Sequence, residues 1–252
     1  MSRKIKAITF DLWDTIIDDD SDEPKRKASG LRSKAAERRH VVWESINREI
    51  PVSKETVRLA YDVSEAAFNN LWRQHSITWT LAERLNVILK GLGCSLSEES
   101  KNGAIEALGR MEIEIPPDPI DGIKDALDRL AGRYKLCIVS DAIVTPGSGL
   151  RELLDRYGLR DFFSGFAFSD EVGRSKPHRR MFESAAGQLG IEIPEMIHVG
   201  DRDHNDVKGP QALGMKAVLF IGKRDHDRHT TSADAICERH ADLPRVIESL
   251  SR

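Results

Sequence analysis

Five short runs of apolar, β-branched and aromatic residues constrain this chain more than any other feature: KAITF (6–10), KLCIV (135–139), GFAF (165–168), MIHV (196–199) and KAVLFI (216–221). They are continuous rather than alternating, the pattern of strands covered on both faces, as in a parallel sheet. Helical patterns precede or separate the later runs: IDGIKDALDRLAGRY leads into the second, and GSGLRELLDRYGL, RRMFESAAGQLG and DVKGPQALG lie between the rest. Several of these carry a glycine near the helix end, a common stop signal. Strand and helix in repeated alternation require right-handed crossovers and predict an α/β fold, a doubly wound parallel sheet.

The stretch between the first and second runs has no strand pattern. Four helical segments occupy it: AAERRHVVWESINREI, KETVRLAYDVSEAAFNNLW, TWTLAERLNVILKGLG and SEESKNGAIEALGRM. Val42, Trp43, Ile46 and Ile50 recur at helical spacing, as do Val57, Tyr61, Ala67, Phe68 and Leu71, so each helix has an apolar face to bury. DDDSDEPKRK (18–27) and EIPPDP (114–119) flank the insertion with charge and proline and read as solvated hinge linkers. The expected organisation is an α/β core, residues 1–17 and 117–252, with a helical cap domain at 18–116.

Composition narrows the function. A net charge of -3 provides no basic face, so nucleic acid is not the expected partner. Cys94, Cys137 and Cys237 have neither pairing nor metal spacing and suit buried positions in a reducing compartment. MSRKIKAITFD contains no apolar leader, and no run of 18 apolar residues occurs anywhere. A cytoplasmic protein with a small-molecule substrate, no membrane partner, and a monomeric or homodimeric state is expected.

In open α/β sheets the working groups sit at the carboxyl ends of the strands. Asp11, Ser140, Lys176 and Asp201 all follow such strands. Singly, each has an ordinary explanation as a turn former, cap or surface charge. Together they converge. Asp11, Asp201 and Asp206 would then repel one another by on the order of 4 kcal/mol per close pair at an effective dielectric near 20. Lys176 supplies one compensating charge, and a hard, oxygen-loving ion such as Mg2+ supplies another. A carboxylate in such a site can act as nucleophile by forming an acyl phosphate.

FDLWDT, CIVSDA, GRSKPHRRMF and HVGDRDHNDVKGPQALGM, in that order, resemble the four motifs of the haloacid dehalogenase superfamily, with a helical cap inserted after the first. The resemblance implies a Mg2+-dependent phosphatase acting on a small phosphorylated metabolite through an aspartyl-phosphate on Asp11. It implies Asp11 as nucleophile and metal ligand, with the main-chain carbonyl of Trp13 as a second ligand. Asp201 would bind the metal and Asp206 would support it. Thr15 and Ser140 would hydrogen-bond the phosphoryl oxygens, Asp141 would join them in binding substrate, and Lys176 would neutralise the developing charge. Gly200 would admit a close backbone approach.

Trp13 departs from the pattern, because most phosphatases that the sequence resembles carry there a second Asp that protonates the leaving oxygen. Indole cannot do this, and the loss is worth roughly 10² to 10⁴ in rate. Asp14, Asp203 and His204 are the nearby candidates to replace it. Two other readings are a 2-haloacid dehalogenase, whose motif has an aromatic at this place, and a catalytically weak phospho-ligand-binding protein. Arg32, Arg38 and Arg39 are candidate anion contacts from the cap or an exposed basic helix end, and RDHDRHTTSAD (224–234) reads as a flexible loop.

Overall fold

A computed structural model describes residues 4–251; residues 1–3, part of the basic start, and residue 252 lie outside the described residues. Six strands form one parallel sheet: β1 (Ala7–Phe10), β2 (Lys135–Ser140), β3 (Gly165–Phe168), β4 (Met196–Gly200), β5 (Lys216–Phe220) and β6 (Ala235–Cys237). Their spatial order is β3-β2-β1-β4-β5-β6. Phe10 pairs with Ile138 on one side and Val199 on the other. β1 is therefore where the winding reverses, and a crevice opens at its carboxyl end. The first five strands coincide with the apolar runs. β6 has no such run, since its three residues lie at the sheet edge and only Cys237 is buried.

Helices α1 (Asp22–Ala28), α2 (Lys34–Glu49), α3 (Lys54–His75), α4 (Leu81–Gly91) and α5 (Glu98–Glu114) lie in the chain between β1 and β2. After them come α6 (Ile123–Ala131), α7 (Gly147–Arg156), α8 (Ser169–Val172), α9 (Arg179–Leu189), α10 (Gly209–Ala212) and α11 (Leu243–Leu250). The chain divides into two compact units. One comprises the chain up to Asp19, Pro117–Asp141 and everything from Leu154; the other comprises Asp20–Pro116 together with Ala142–Leu153.

In the sheet unit, side-chain alternation sorts the strand residues onto two covered faces. Ala7, Cys137, Val139 and Ala167 pack with Met181, Phe182, Ala185 and Leu189 of α9. The alternate residues Ile8, Phe10, Leu136 and Ile138 are equally buried, as are Leu127 and Leu130 of α6 and Ile247 of α11. Burial on both faces is why the runs lack a polar alternation. The Cys137 thiol is pushed up to about 12 by burial, which makes it inert packing.

In the helical unit, Ser33, Ser53, Thr80 and Ser97 cap α2 to α5, each accepting from a backbone N–H in the first turn. Thr80 and Glu83 complete a capping box. Val42, Ile46, Val57, Tyr61, Leu85, Ile88 and Leu108 form one core. Truncating Ile46, 1% exposed, to Ala would cost about 2–5 kcal/mol. Ala67, expected on the apolar face of α3, is exposed.

The acidic run is not the solvated linker expected of 18–27. α1 forms there because Asp22 and Glu23 stand in its first turn and Lys25, Arg26 and Lys27 in its last, matching the helix dipole. Asp22 and Arg26 are buried. Lys34 Nζ lies 2.9 Å from Asp22 and 3.4 Å from Glu112. Among the described residues no helix is long and apolar enough to cross a membrane.

Candidate active site

The carboxyl ends of β1, β2 and β4 and the loop after β3 deliver their polar residues to one place. Asp11 follows β1 directly, and its N–H donates to Val199 O of β4 at 2.9 Å. Three donors converge on Asp11 Oδ1 at 2.8 Å: the N–H of Leu12, Ser140 Oγ and Lys176 Nζ. Lys176 Nζ also lies 2.7 Å from Asp206 Oδ1. Asp141 Oδ1 accepts from the Lys176 N–H at 2.9 Å, so it fixes the main chain that carries the lysine.

Asp206 stands in a wide helical turn, Asp203–Lys208, that leads into α10. Both its oxygens are engaged. Oδ1 meets Lys176 and, at 3.1 Å, His198 Nε2, while Oδ2 accepts from the Arg202 N–H at 3.0 Å. His198 Nδ1 in turn lies 2.8 Å from Thr9 Oγ1. His198 thus links β1 to the acidic loop from inside the sheet. The signal for it was a lone histidine within the apolar run MIHV.

Gly200 permits this arrangement. A Cβ there would lie 2.4 Å from Asp206 Cγ and 2.7 Å from its Oδ2.

Asp201 differs from its neighbours. It is 1% exposed, and neither of its carboxylate oxygens has a hydrogen-bond partner. Arg202 Nε and Arg224 Nη1 stand 3.8 and 3.9 Å from Oδ2, at ion-pair rather than hydrogen-bond distance. Burial, followed by the charges of Asp11 and Asp206, pushes its carboxyl up to about 8. Burial would raise Asp206 as well, yet the Lys176 charge and the His198 hydrogen bond hold it below the usual carboxylate range. Burial would lower Lys176, but the charges of Asp11, Asp206 and Asp141 keep it protonated above its ordinary value. His198 is depressed by burial despite its bond to Asp206.

Asp11, Asp201 and Asp206 each offer one oxygen within 4.8 Å of the others. Of the cations near these three carboxylates only Lys176 touches any of them directly; Arg202 and Arg224 stay 3.8 and 3.9 Å from Asp201 Oδ2, outside hydrogen-bond distance. A hard divalent cation fits the site: the donors are all oxygen, and Asp201 has both oxygens unpartnered.

The loop that follows Asp11 is tight. Ile16 and Ile17 N–H donate to Leu12 O at 2.8 and 2.9 Å, Asp14 N–H donates to Ile17 O at 2.7 Å, and Asp14 has φ 54°. Trp13 is half-buried in this loop. Thr15 is fully buried, and its Oγ1 has no hydrogen-bond partner.

The three arginines considered for anion binding are engaged within the helical unit. Arg32 pairs with Glu37 at 3.1 Å, Arg38 with Glu112 at 3.2 Å and Arg39 with Asp62 at 2.6 Å. The loop after β5, read as merely flexible, instead reaches the acidic loop. Arg224 Nη1 donates to Asp201 O at 3.1 Å, and Asp227 Oδ2 accepts from the Asp203 N–H at 3.1 Å. No local pattern marks this, because it is a contact between two loops.

A family model described as haloacid dehalogenase-like hydrolase matches residues 5–214. The glyceraldehyde 3-phosphate phosphatase of Pyrococcus furiosus is 26% identical over 260 residues, covering 99% of this chain and 95% of that one. The glyceraldehyde 3-phosphate phosphatase of Methanopyrus kandleri is 32% identical over 111 residues, 43% of this chain; that match spans 48% of its length. The crystal structure of a HAD phosphatase from Thermococcus onnurineus superposes with a TM-score of 0.64 at 23% identity, covering 96% of this chain and 98% of the other.

Proposed function

We propose, since this chain belongs to the haloacid dehalogenase-like hydrolase family, that it is a Mg2+-dependent phosphatase of a small phosphorylated metabolite. Residues 18–116 are its cap domain. The observation that carries this reading is the pairing of a thrice-bonded Asp11 with a buried Asp201 that has no hydrogen bond of its own. The names of the two relatives point the same way, each being a glyceraldehyde 3-phosphate phosphatase.

In this reading Asp11, Asp201 and the Trp13 main-chain carbonyl would hold Mg2+, with Asp206 in support; bound there, the ion would supply positive charge to offset the phosphoryl oxygens and the acidic cluster. Ser140, Leu12 N–H and Lys176 orient the Asp11 carboxylate by fixing Oδ1. Asp11 attacks phosphorus in line, forming an acyl phosphate as the bond to the leaving oxygen breaks. Lys176, kept protonated by its neighbours, offsets the charge that gathers on the phosphoryl group. Thr15, whose hydroxyl has no other partner, donates to a phosphoryl oxygen, and Ser140 does so only by turning its single O–H proton away from Asp11. Water then attacks phosphorus, releasing inorganic phosphate and restoring Asp11.

Trp13 cannot protonate the leaving oxygen, so the first step favours esters whose leaving group departs as an anion, such as aryl or acyl phosphates. A dehalogenase would have no use for three buried carboxylates around a cation site, which favours attack on phosphorus. The three thiols are free and suit a reducing cytoplasm. The test is a phosphate-ester panel with and without Mg2+. Phosphate release should require Mg2+ and vanish in Asp11→Asn; release that persists in EDTA, or in that variant, refutes the reading.

A further inference from the structure

The segment joining β5 to β6 braces the acidic loop. Lys223 Nζ lies 2.5 Å from Asp18 Oδ2, which ties the segment to the loop after β1. Arg224 Nη1 is shared between Asp201 O at 3.1 Å and Asp227 Oδ2 at 2.9 Å. The same Asp227 oxygen accepts from Asp203 N–H at 3.1 Å. One carboxylate therefore anchors both the guanidinium that grips Asp201 and the amide two residues further on. Gln211 Nε2 of α10 secures the far end of the segment at Ser232 O, 2.8 Å away.

We infer that Arg224 is a positioning residue for Asp201, held by Asp227, and that this brace sets the affinity of the acidic cluster for its divalent cation. The inference rests on the reading above, in which Asp201 binds Mg2+. Asp201 has no hydrogen bond on its own carboxylate, only the longer ion-pair approaches of Arg202 and Arg224, so its main chain is what fixes its aim, and Arg224 grips that main chain. Outer contacts of this kind typically contribute 10- to 100-fold in metal affinity.

Charge and position predict opposite signs. Arg224 Nη1 stands 3.9 Å from Asp201 Oδ2, so as a charge alone it opposes a cation, and its removal would tighten Mg2+ binding. As a brace it favours the cation, and its removal loosens binding.

The experiment is calorimetric titration of the substrate-free protein with Mg2+, together with the Mg2+ dependence of phosphate-ester turnover, for wild type, Arg224→Met, Arg224→Lys and Asp227→Ala. The expected result is a Kd about 10-fold or more higher in Arg224→Met and Asp227→Ala, a matching rise in half-saturating Mg2+, and kcat at saturating Mg2+ within about 3-fold of wild type. Arg224→Lys, which keeps the charge and a donor, binds more tightly than Arg224→Met. Arg228→Gln, whose guanidinium pairs with the exposed Glu238 at 2.6 Å, leaves Kd unchanged. Should Arg224→Met fail to fold, Arg224→Lys and Asp227→Asn carry the same comparison of Kd against kcat. Unchanged or tighter Mg2+ binding in the brace variants overturns the inference while leaving the phosphatase reading intact, as does a fall in kcat at constant Kd. A wild type that binds no Mg2+ and turns over in EDTA overturns both.

Discussion

Gly200 and Asp206 share a space that admits no further carbon: a Cβ on Gly200 would fall 2.4 Å from the Asp206 Cγ. Asp206 in turn carries the hydrogen bonds to Lys176, His198 and Arg202 N–H that hold the acidic loop together. Gly200→Ala must therefore displace Asp206 or the loop. Expected outcomes are a loss of phosphatase activity of about 10²-fold or more and a smaller rise in melting temperature on adding Mg2+. Wild-type values for both would show that the loop relaxes around the methyl group and that its geometry is not critical.

Lys176 is 3% exposed and lies between Asp11 and Asp206. Removing one partner of a buried ionic network costs about 3–5 kcal/mol, since the remaining charges are left uncompensated. Lys176→Met should lose that much in urea denaturation at neutral pH and should also lose turnover. A variant as stable as wild type would mean that water or counterions reach the carboxylates.

Trp13 lies in the tight loop after Asp11, where indole offers no transferable proton. Trp13→Asp should raise turnover of an alkyl phosphate by about 10² to 10⁴ and change aryl phosphate turnover far less. Equal gains on both esters would place the missing step somewhere other than leaving-group protonation.

His240 is 1% exposed and stacks on Phe220 with ring centroids 4.2 Å apart. Burial depresses it to about 4, against about 6.5 in an unfolded chain. Between those values the unfolded state binds the extra proton, so stability is fully present above pH 6.5 and declines as pH falls toward 4. The contribution is about 3 kcal/mol at 1.36 kcal/mol per unit. His240→Phe preserves the stack and should flatten the denaturation midpoint across that range. An unchanged pH slope would assign it to other groups.

Much of this molecule was legible without coordinates. Continuous apolar runs announced five of the six strands, because burial on both faces of a parallel sheet leaves no room for polar alternation. Asp11, Ser140, Lys176 and Asp201 were legible because each directly follows such a run or stands in the loop beyond it. α1 was obscured by its composition, since ten charged and turn-forming residues look like a linker until Asp22 and Arg26 are seen to be buried. Ala67 was misplaced because helical spacing identifies a face only to within its width.

The linear order of residues by itself determined the sheet, the helical insertion and which four strand ends present polar side chains, because these follow from periodicity and local turn preference. Tertiary structure alone decided that Asp11 Oδ1 collects three donors, that Asp201 has none, that His198 backs Asp206, and that Arg224 and Asp227 hold the acidic loop. Those are contacts between elements distant in the chain. Their partners are set by which strands become neighbours and how closely two loops approach, and no local pattern encodes either.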